Sequence, residues 1–436
     1  MNSGQTGSSG QTGSSGQTGN TGQTGSSGAA LFDPNRHGDE DAAPGALDFA
    51  VNVRPGPPDF LREILRAGID DLAAYPRRDD VAGAVHAIAD RHGCTADEVV
   101  LLAGAAEGFE LLTRLGARHA ALIAPSFTEP ERVLAAAGTR ITSVILPPPW
   151  RLATEATPDT EATPDTEATP DTAAIPDTAA IPEDADLVVI GNPTNPTSVL
   201  HPREAIERLR RPGRIIVVDE AFADVTRGAD GRTEPESLAG AGHHDVIVIR
   251  SVTKTFALAG LRAGYLIAHP DVIARLTGPR RHWPLGTLAV RALTACLGPT
   301  GARYAADQAA VVAADRAHLV AGLAAVGLRP AAEPEASYVL VEAPGGLAVK
   351  AALAQRGISV RSCANFAGLG PDHLRFAVRD RACTDVLITA LGEVLDDVPP
   401  DVPAPSGGRS GQTGRDRESA DRSSFRSTTE RGAEHR

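Results

Sequence analysis

The sequence predicts an α/β protein: a mostly parallel seven-stranded sheet with helices on both faces, followed by a smaller α+β C-terminal domain. Short apolar runs bounded by turns recur through the first two thirds of the chain, helical patterns fall between them, and long Ala/Leu-rich stretches take over after about residue 270. Apolar runs without polar alternation are how strands covered on both faces read. Strands that alternate with helices imply crossover connections and hence parallel pairing.

The seven runs are Val99–Leu102, Ala120–Ile123, Ile141–Ile145, Leu187–Ile190, Ile215–Val218, Val246–Ile249 and Tyr265–Ile267. Helical spacing predicts helices over Glu107–Leu115, Glu129–Ala137 and Pro202–Arg210. Beyond residue 270 the pattern predicts helices at 289–297, 302–326 and 348–356, strands at Tyr338–Val341, Ile358–Val360 and His373–Val378, and a last helix near 382–395. This gives an N-terminal arm (31–75), a large domain (76–270) and a small domain (271–400).

The ends of the chain read differently. Residues 1–30 are built mainly from Gly, Ser, Thr and Gln and repeat GQTG; residues 401–436 form a polar, Arg-rich tail. Neither buries enough apolar surface to offset its ordering entropy, so both are expected to be disordered. The first has no basic and apolar succession and is not read as a signal peptide. A TEATPD-type repeat over 154–183 places a proline in every copy, which forbids helix and central strand, so a solvated loop insertion is expected.

The 436 residues carry a net charge of −13 and no basic stripe, which gives no footing for nucleic-acid binding. No apolar stretch reaches the ~20 residues of a membrane helix. The four cysteines (94, 296, 363 and 383) show no CxxC pairing and suit a reducing cytoplasm. The expectation is a soluble, cytoplasmic protein with a small-molecule substrate.

Chemistry concentrates in Ser251-Val-Thr-Lys-Thr-Phe-Ala-Leu-Ala-Gly-Leu-Arg262, which directly follows an apolar run. A lysine at the mouth of a parallel sheet, with hydroxyls and an arginine around it, suits capture of a phosphorylated aldehyde as a Schiff base. That is the chemistry of pyridoxal 5'-phosphate, with Lys254 as the catalytic amine. Ser251, Thr253 and Arg262 would cup the phosphate with the amides of Ala105 and Ala106 in Gly104-Ala-Ala-Glu-Gly108. Asp219 ends a strand where a carboxylate could pair with the pyridine nitrogen; taken alone it reads rather as a turn cap, and the ordered set of neighbouring candidates reverses that preference. Asn195, in Gly191-Asn-Pro-Thr-Asn-Pro-Thr197, could donate to the ring's phenolic oxygen, and Phe127 could stack on the ring. An ordinary turn Asn and a core Phe are the alternatives.

In this order, GAAEGFELL, PSFTEPE, GNPTNPTSVL, VVDEAF and SVTKTFALAGLRAGY closely resemble the fold-type I, class I/II aminotransferase superfamily over about residues 31–398. The resemblance implies a homodimer whose arm and small domain clamp the substrate, with Tyr75 reaching the partner's cofactor phosphate. Within the superfamily the chain resembles histidinol-phosphate aminotransferases and the threonine-phosphate decarboxylases of the cobalamin pathway. LDFAVNVRP, which contains Asn52, resembles the decarboxylase opening, and His37 sits where that group carries a phosphate-binding histidine, although Asp39 and Glu40 depart from its pattern. VRSCANF and LRFAVR resemble its C-terminal signature and imply that Arg361 meets a substrate phosphate and Arg375 a carboxylate.

Phe222 stands where the aminotransferases have tyrosine, a change the decarboxylases share. Ser198 replaces a glycine and is expected only to alter the turn; Ser337-Tyr338 replaces an Asn-Phe pair and could change a substrate contact. Together these features favour an L-threonine O-3-phosphate decarboxylase giving aminopropanol phosphate. A histidinol-phosphate-type aminotransferase is the alternative. A cofactor-binding regulator or retired scaffold is disfavoured, because residues 1–30 cannot form a DNA-binding motif and the lysine and phosphate cup are present.

Overall fold

The apolar runs pair into a single sheet. The computed structural model describes residues 44–153 and 181–397. The two tails, residues 31–43 of the arm with His37, and residues 154–180 of the repeat lie outside the described residues.

In chain order the strands are β1 (Leu47–Asp48), β2 (Val99–Leu102), β3 (His119–Ala124), β4 (Arg140–Ile145), β5 (Leu187–Gly191), β6 (Ile215–Asp219), β7 (Val246–Ser251), β8 (Gly264–Ala268), β9 (Tyr338–Glu342), β10 (Ile358–Ser359), β11 (Arg361–Ser362) and β12 (His373–Ala377). The helices are α1 (Asp59–Ala67), α2 (Arg78–His92), α3 (Ala105–Leu112), α4 (Glu129–Ala136), α5 (Arg203–Glu207), α6 (Pro270–Thr277), α7 (Thr287–Leu297), α8 (Pro299–Ala325), α9 (Gly346–Gln355) and α10 (Arg381–Asp397).

The central sheet has the order β2-β8-β7-β6-β5-β3-β4. Pairing is parallel from β7 through β4, and β8 runs antiparallel to both neighbours. Why the strands read as continuous apolar runs is visible in β5: Val188 and Ile190 pack into one core, Leu187 and Val189 into another. Neighbouring β6 divides the same way, with Ile216 and Val218 on one side and Val217 on the other. Burying such side chains stabilises by about 1.5–3 kcal/mol each, so both faces must be covered.

The helix expected over Pro202–Arg210 is only α5, five residues long. Beyond it the chain turns back so that the Arg214 side chain can cap three carbonyls.

A second, three-stranded antiparallel sheet has the order β11-β12-β9. The single strand predicted at Ile358–Val360 is divided: Ile358 and Ser359 pair in parallel with Leu47 and Asp48, while Arg361 and Ser362 pair with β12. The segment after β1 is tied in by Arg379, whose Nε and Nη2 donate to Asp48 O (2.7 Å) and Val51 O (2.6 Å).

Beneath the carboxyl ends of β6 and β7 lies a buried ionic cluster. Arg250, 2% exposed, donates to Glu220 (2.8 Å), Asp224 (2.6 Å) and Glu234 (2.8 Å), and Glu234 also accepts from Arg91 (2.6 Å). Arg250→Met strands three carboxylates without their shared counter-charge. The expected cost is roughly 3–5 kcal/mol, read as a lower midpoint in denaturant unfolding; an unchanged midpoint would refute the assignment.

Candidate active site

A cavity of about 690 Å³ opens beyond the carboxyl ends of the parallel strands, where ligands bind in open α/β sheets. It draws together residues far apart in sequence, including Asn52, Ala106, Asn195, Lys254, Arg361 and Arg375. Phe127, Phe222, Thr253 and Arg262 also line it.

Lys254 follows β7, and its Nζ lies 5.7 Å from the centroid of the Phe222 ring. Phe222 in turn meets Tyr338 edge-on, with centroids 4.9 Å apart. The Tyr338 hydroxyl donates to Thr194 O at 3.0 Å, so this buried phenol secures the loop that carries Asn195.

That loop is built rigidly. Asn192 accepts from His201 N (2.8 Å) and donates back to His201 O (3.2 Å), closing the turn. The Thr194 hydroxyl donates to Gly191 O (2.7 Å), so His201 Nε2, 3.0 Å away, carries the proton and donates to it. His201 Nδ1 accepts from Leu152 N (3.1 Å). Burial pushes the imidazole down to about 3, with Arg151 adding repulsion, so the ring stays neutral and its tautomer is fixed.

Ser198 does more than alter a turn. Its backbone adopts φ 66°, its Oγ accepts from Ala336 N at 2.8 Å, and its carbonyl accepts from Glu335 N at 2.9 Å. It pins the loop to the segment leading into β9, a role invisible in a motif read as a turn.

Asn195 Oδ1 accepts a hydrogen bond from Arg375 Nη1. Arg375 Nη2 donates to Ala50 O at 2.8 Å. Arg375 and Arg361 are cross-strand partners in register, and only 5% and 4% exposed. Like charges placed directly opposite repel. Two buried guanidiniums on one face of a sheet would therefore suit anionic groups of a ligand. Arg361 also donates to Asn365 Oδ1 (3.0 Å) and stands 5.7 Å from the Phe366 ring.

At the other end of the cavity, Gly104 (φ +85°) admits the α3 N-terminus to the sheet. A Cβ there would come within 2.9 Å of the Arg262 guanidinium, so that cation lies against the helix start. Gly264 is equally constrained: a Cβ would sit 3.0 Å from Ala105 N and 2.8 Å from Arg250 O. Ser251, 7% exposed, accepts from Thr253 N at 3.1 Å. Helix amides, hydroxyls and Arg262 thus converge as a phosphate cup would require.

Asp219 ends β6 and accepts from Ala221 N at 3.1 Å. It keeps some contact with open space yet lies deep beneath the protein surface. Burial pushes its carboxyl up to about 6, opposed by the Ala221 amide and by the charge of Lys254. Such a carboxyl is poised for a cationic partner.

Sequence reasoning missed several lining residues. Thr128, Glu129 and Arg132 enter from α4 and its approach, Ala259 from the segment after Lys254, and Phe366 from the loop after β11. Glu129, 8% exposed, pairs with Arg132. Glu129 lies within PSFTEPE and Arg132 directly follows it, but the motif gives neither their pairing nor their place at the cavity. Tyr75 is outside the lining: it is 70% exposed and stacks on Trp283 with centroids 4.4 Å apart.

These residues fit pyridoxal phosphate. Asp219 would offer a carboxyl to the ring nitrogen, Asn195 an amide to the ring oxygen, Lys254 an amine, and the α3 start with Arg262 an anion cup. Asn52 Oδ1 is buried without a hydrogen-bond partner, as a group awaiting a ligand would be. When bound, the cofactor supplies an electron sink for a bond broken at the substrate's α-carbon.

Fold and site together define a fold-type I, pyridoxal-phosphate-dependent enzyme. The chain belongs to the aminotransferase class I and II family, whose sequence model matches residues 45–391. It is similar to a histidinol-phosphate aminotransferase of Mycobacterium tuberculosis, 48% identical over 358 residues, covering 82% of this chain and 90% of that one. It is also similar to a threonine-phosphate decarboxylase of Salmonella typhimurium, 28% identical over 368 residues, covering 81% and 92%. Among solved structures, a histidinol-phosphate aminotransferase from Clostridium acetobutylicum superposes with a TM-score of 0.68 at 25% identity, covering 80% and 99% of the two chains. Among the described residues no helix is long and apolar enough to cross a membrane.

The Asp219 carboxyl gives a pH prediction. Below about 6 it takes up a proton and loses the charge a protonated ring nitrogen needs, so cofactor retention should weaken as pH falls through that value. Asp219→Asn should retain cofactor poorly at every pH and lack this acid limb. Fluorescence titration with pyridoxal phosphate from pH 5 to 8 measures both; parallel curves for the two proteins would contradict the role.

Proposed function

We propose that this protein is an aminotransferase acting on a phosphorylated amino substrate of the histidinol-phosphate kind, with a 2-oxo acid as the other partner. The observation that carries this reading is 48% identity along nine tenths of a histidinol-phosphate aminotransferase, against 28% to a threonine-phosphate decarboxylase. Transamination therefore displaces decarboxylation as the leading reading. The two reactions use nearly the same residues and differ in which substrate bond stands perpendicular to the cofactor ring, which no motif encodes.

The roles follow from the site. The Lys254 amine is the group placed to take a proton from the substrate's α-carbon and return it. Asn195 has its Oδ1 engaged by Arg375, which turns its Nδ2 toward donation. Asp219 would pair with the ring nitrogen and Phe127 would cover the ring. Ala105, Ala106, Ser251, Thr253 and Arg262 would hold the cofactor phosphate. Arg361, Arg375 and Asn52 would bind the substrate's anionic and polar groups.

Phe222 sustains a second reading. Its ring faces Lys254 and offers no hydroxyl to the cofactor, as in the decarboxylases it resembles. Supplying the holoenzyme with histidinol phosphate and 2-oxoglutarate should yield glutamate. CO2 released from threonine phosphate, with no glutamate formed from the first pair, would reverse the choice.

A homodimer is part of the proposal. Ile69, Leu72, Tyr75 and Trp283 are all more than half exposed, an apolar face suited to a second copy. None of the four cysteines forms a disulfide among the described residues, which fits a reducing cytoplasm.

A further inference from the structure

The active-site cavity is not alone among the described residues. A groove of about 800 Å³ lies at the opposite end of the sheet, where β5 and β6 begin, between the Leu209–Ile215 turn and α6. None of the residues assigned to catalysis or cofactor binding lines it.

Its walls carry four arginines, Arg210, Arg211, Arg214 and Arg275, on a chain whose net charge is −13. The carboxylates in the groove are already engaged. Asp245 accepts from Arg210 (2.7 Å), Glu207 from Arg203 (3.0 Å), and Asp186 from the backbone amides of Arg118 (3.1 Å) and His119 (3.0 Å).

Arg214 is the unusual member. It is 6% exposed, and its guanidinium donates to three carbonyls, those of Ala185 (2.9 Å), Leu209 (3.1 Å) and Pro182 (3.0 Å), and to no carboxylate among the described residues. The three carbonyls engage three of its five N–H donors and leave its charge uncompensated. The nearby Arg211 adds repulsion: burial, then Arg211, pulls the Arg214 pKa down. The Arg211 side chain is exposed and makes no hydrogen bond or ion pair among the described residues, although its carbonyl accepts from Arg214 N at 3.1 Å. Two neighbouring cations without a counter-ion destabilise the free protein, and an anion seated between them would relieve both.

We propose that this groove is a second ligand site, taking a small phosphate ester whose phosphate meets Arg211, Arg214 and Arg275. Arginine forks suit a tetrahedral dianion. The apolar flank formed by Leu115, Ile215 and Val272 suits the ester's carbon body rather than bare phosphate. Its position at the strand ends remote from the catalytic cavity makes it independent of the substrate reading.

The test uses borohydride-reduced holoenzyme, in which the cofactor site is filled, titrated calorimetrically with phenyl phosphate at constant ionic strength. Wild type should bind one more equivalent than Arg211→Ala, or bind the weaker equivalent about tenfold or more tightly. Arg361→Ala, altered in the catalytic cavity, should keep that equivalent. Because Arg211 lies on an exposed turn, Arg211→Ala should retain wild-type turnover and unfolding midpoint, which separates lost binding from misfolding. Equal isotherms for wild type and Arg211→Ala, or loss of the equivalent in Arg361→Ala, would overturn the site.

Discussion

Lys254→Ala is expected to lower turnover by about 10⁴-fold, the upper range for a positioned acid–base group. The variant also loses the amine that holds the cofactor covalently, so borohydride should leave no pyridoxyl adduct on the chain. The fold should survive, because the amine points into the cavity at the end of β7 and does not pack in a core. Two further readouts make the result specific. A small primary amine added to Lys254→Ala should restore part of the turnover, since it can replace the missing base. Lys254→Arg should keep the positive charge yet remain inactive, since guanidinium neither condenses with an aldehyde nor shuttles a proton near neutrality. An adduct in Lys254→Ala, or wild-type turnover in either variant, would end the catalytic account.

Arg375→Ala is expected to lower kcat/KM by on the order of 10²–10³-fold. Truncating one member of a buried charge pair costs about 2–5 kcal/mol, and here the pair is completed by the substrate. The loss should divide between the two kinetic constants. KM rises because an anionic group loses its bidentate partner. Turnover falls too, because Arg375 also holds Asn195 Oδ1 and Ala50 O, and Asn195 then loses its orientation. Arg375→Lys should recover part of KM and little of turnover, since one ammonium cannot reproduce the fork. If Arg375→Lys behaved as wild type, the planar two-point contact would be dispensable and the role wrong.

These expectations rest on residues of two kinds. Lys254, Asp219 and Asn195 were readable in the chain because each sits just past an apolar run, where a parallel sheet presents its ligand-facing ends. Arg361 and Arg375 stood out only through family resemblance. Their register across β11 and β12, which places the two charges opposite each other, depends on pairing that local patterning does not encode. The same holds for Glu129 and Arg132, whose pairing at the cavity the PSFTEPE motif does not reveal. Ser198 shows the limit from the other side: its replacement of glycine looked like a change of turn, and its partner, Ala336 N, lies 138 residues away.

By itself the sequence determined the seven strands of the central sheet, the helices α3, α4 and α7 to α10, the burial of the sheet on both faces, and the chemical inventory at the strand ends, because these follow from local periodicity and side-chain chemistry; β1, α1, α2 and α6 are not among the predicted elements. Only the tertiary structure decided how Ile358–Ser359 and Arg361–Ser362 divide between two sheets, how Asn52, Asn195, Lys254 and Arg375 come to share one cavity, and where the uncompensated Arg214 charge lies. The reason is physical: such contacts join segments up to hundreds of residues apart, and their free energy comes from packing and charge in a buried environment that no short window of sequence contains.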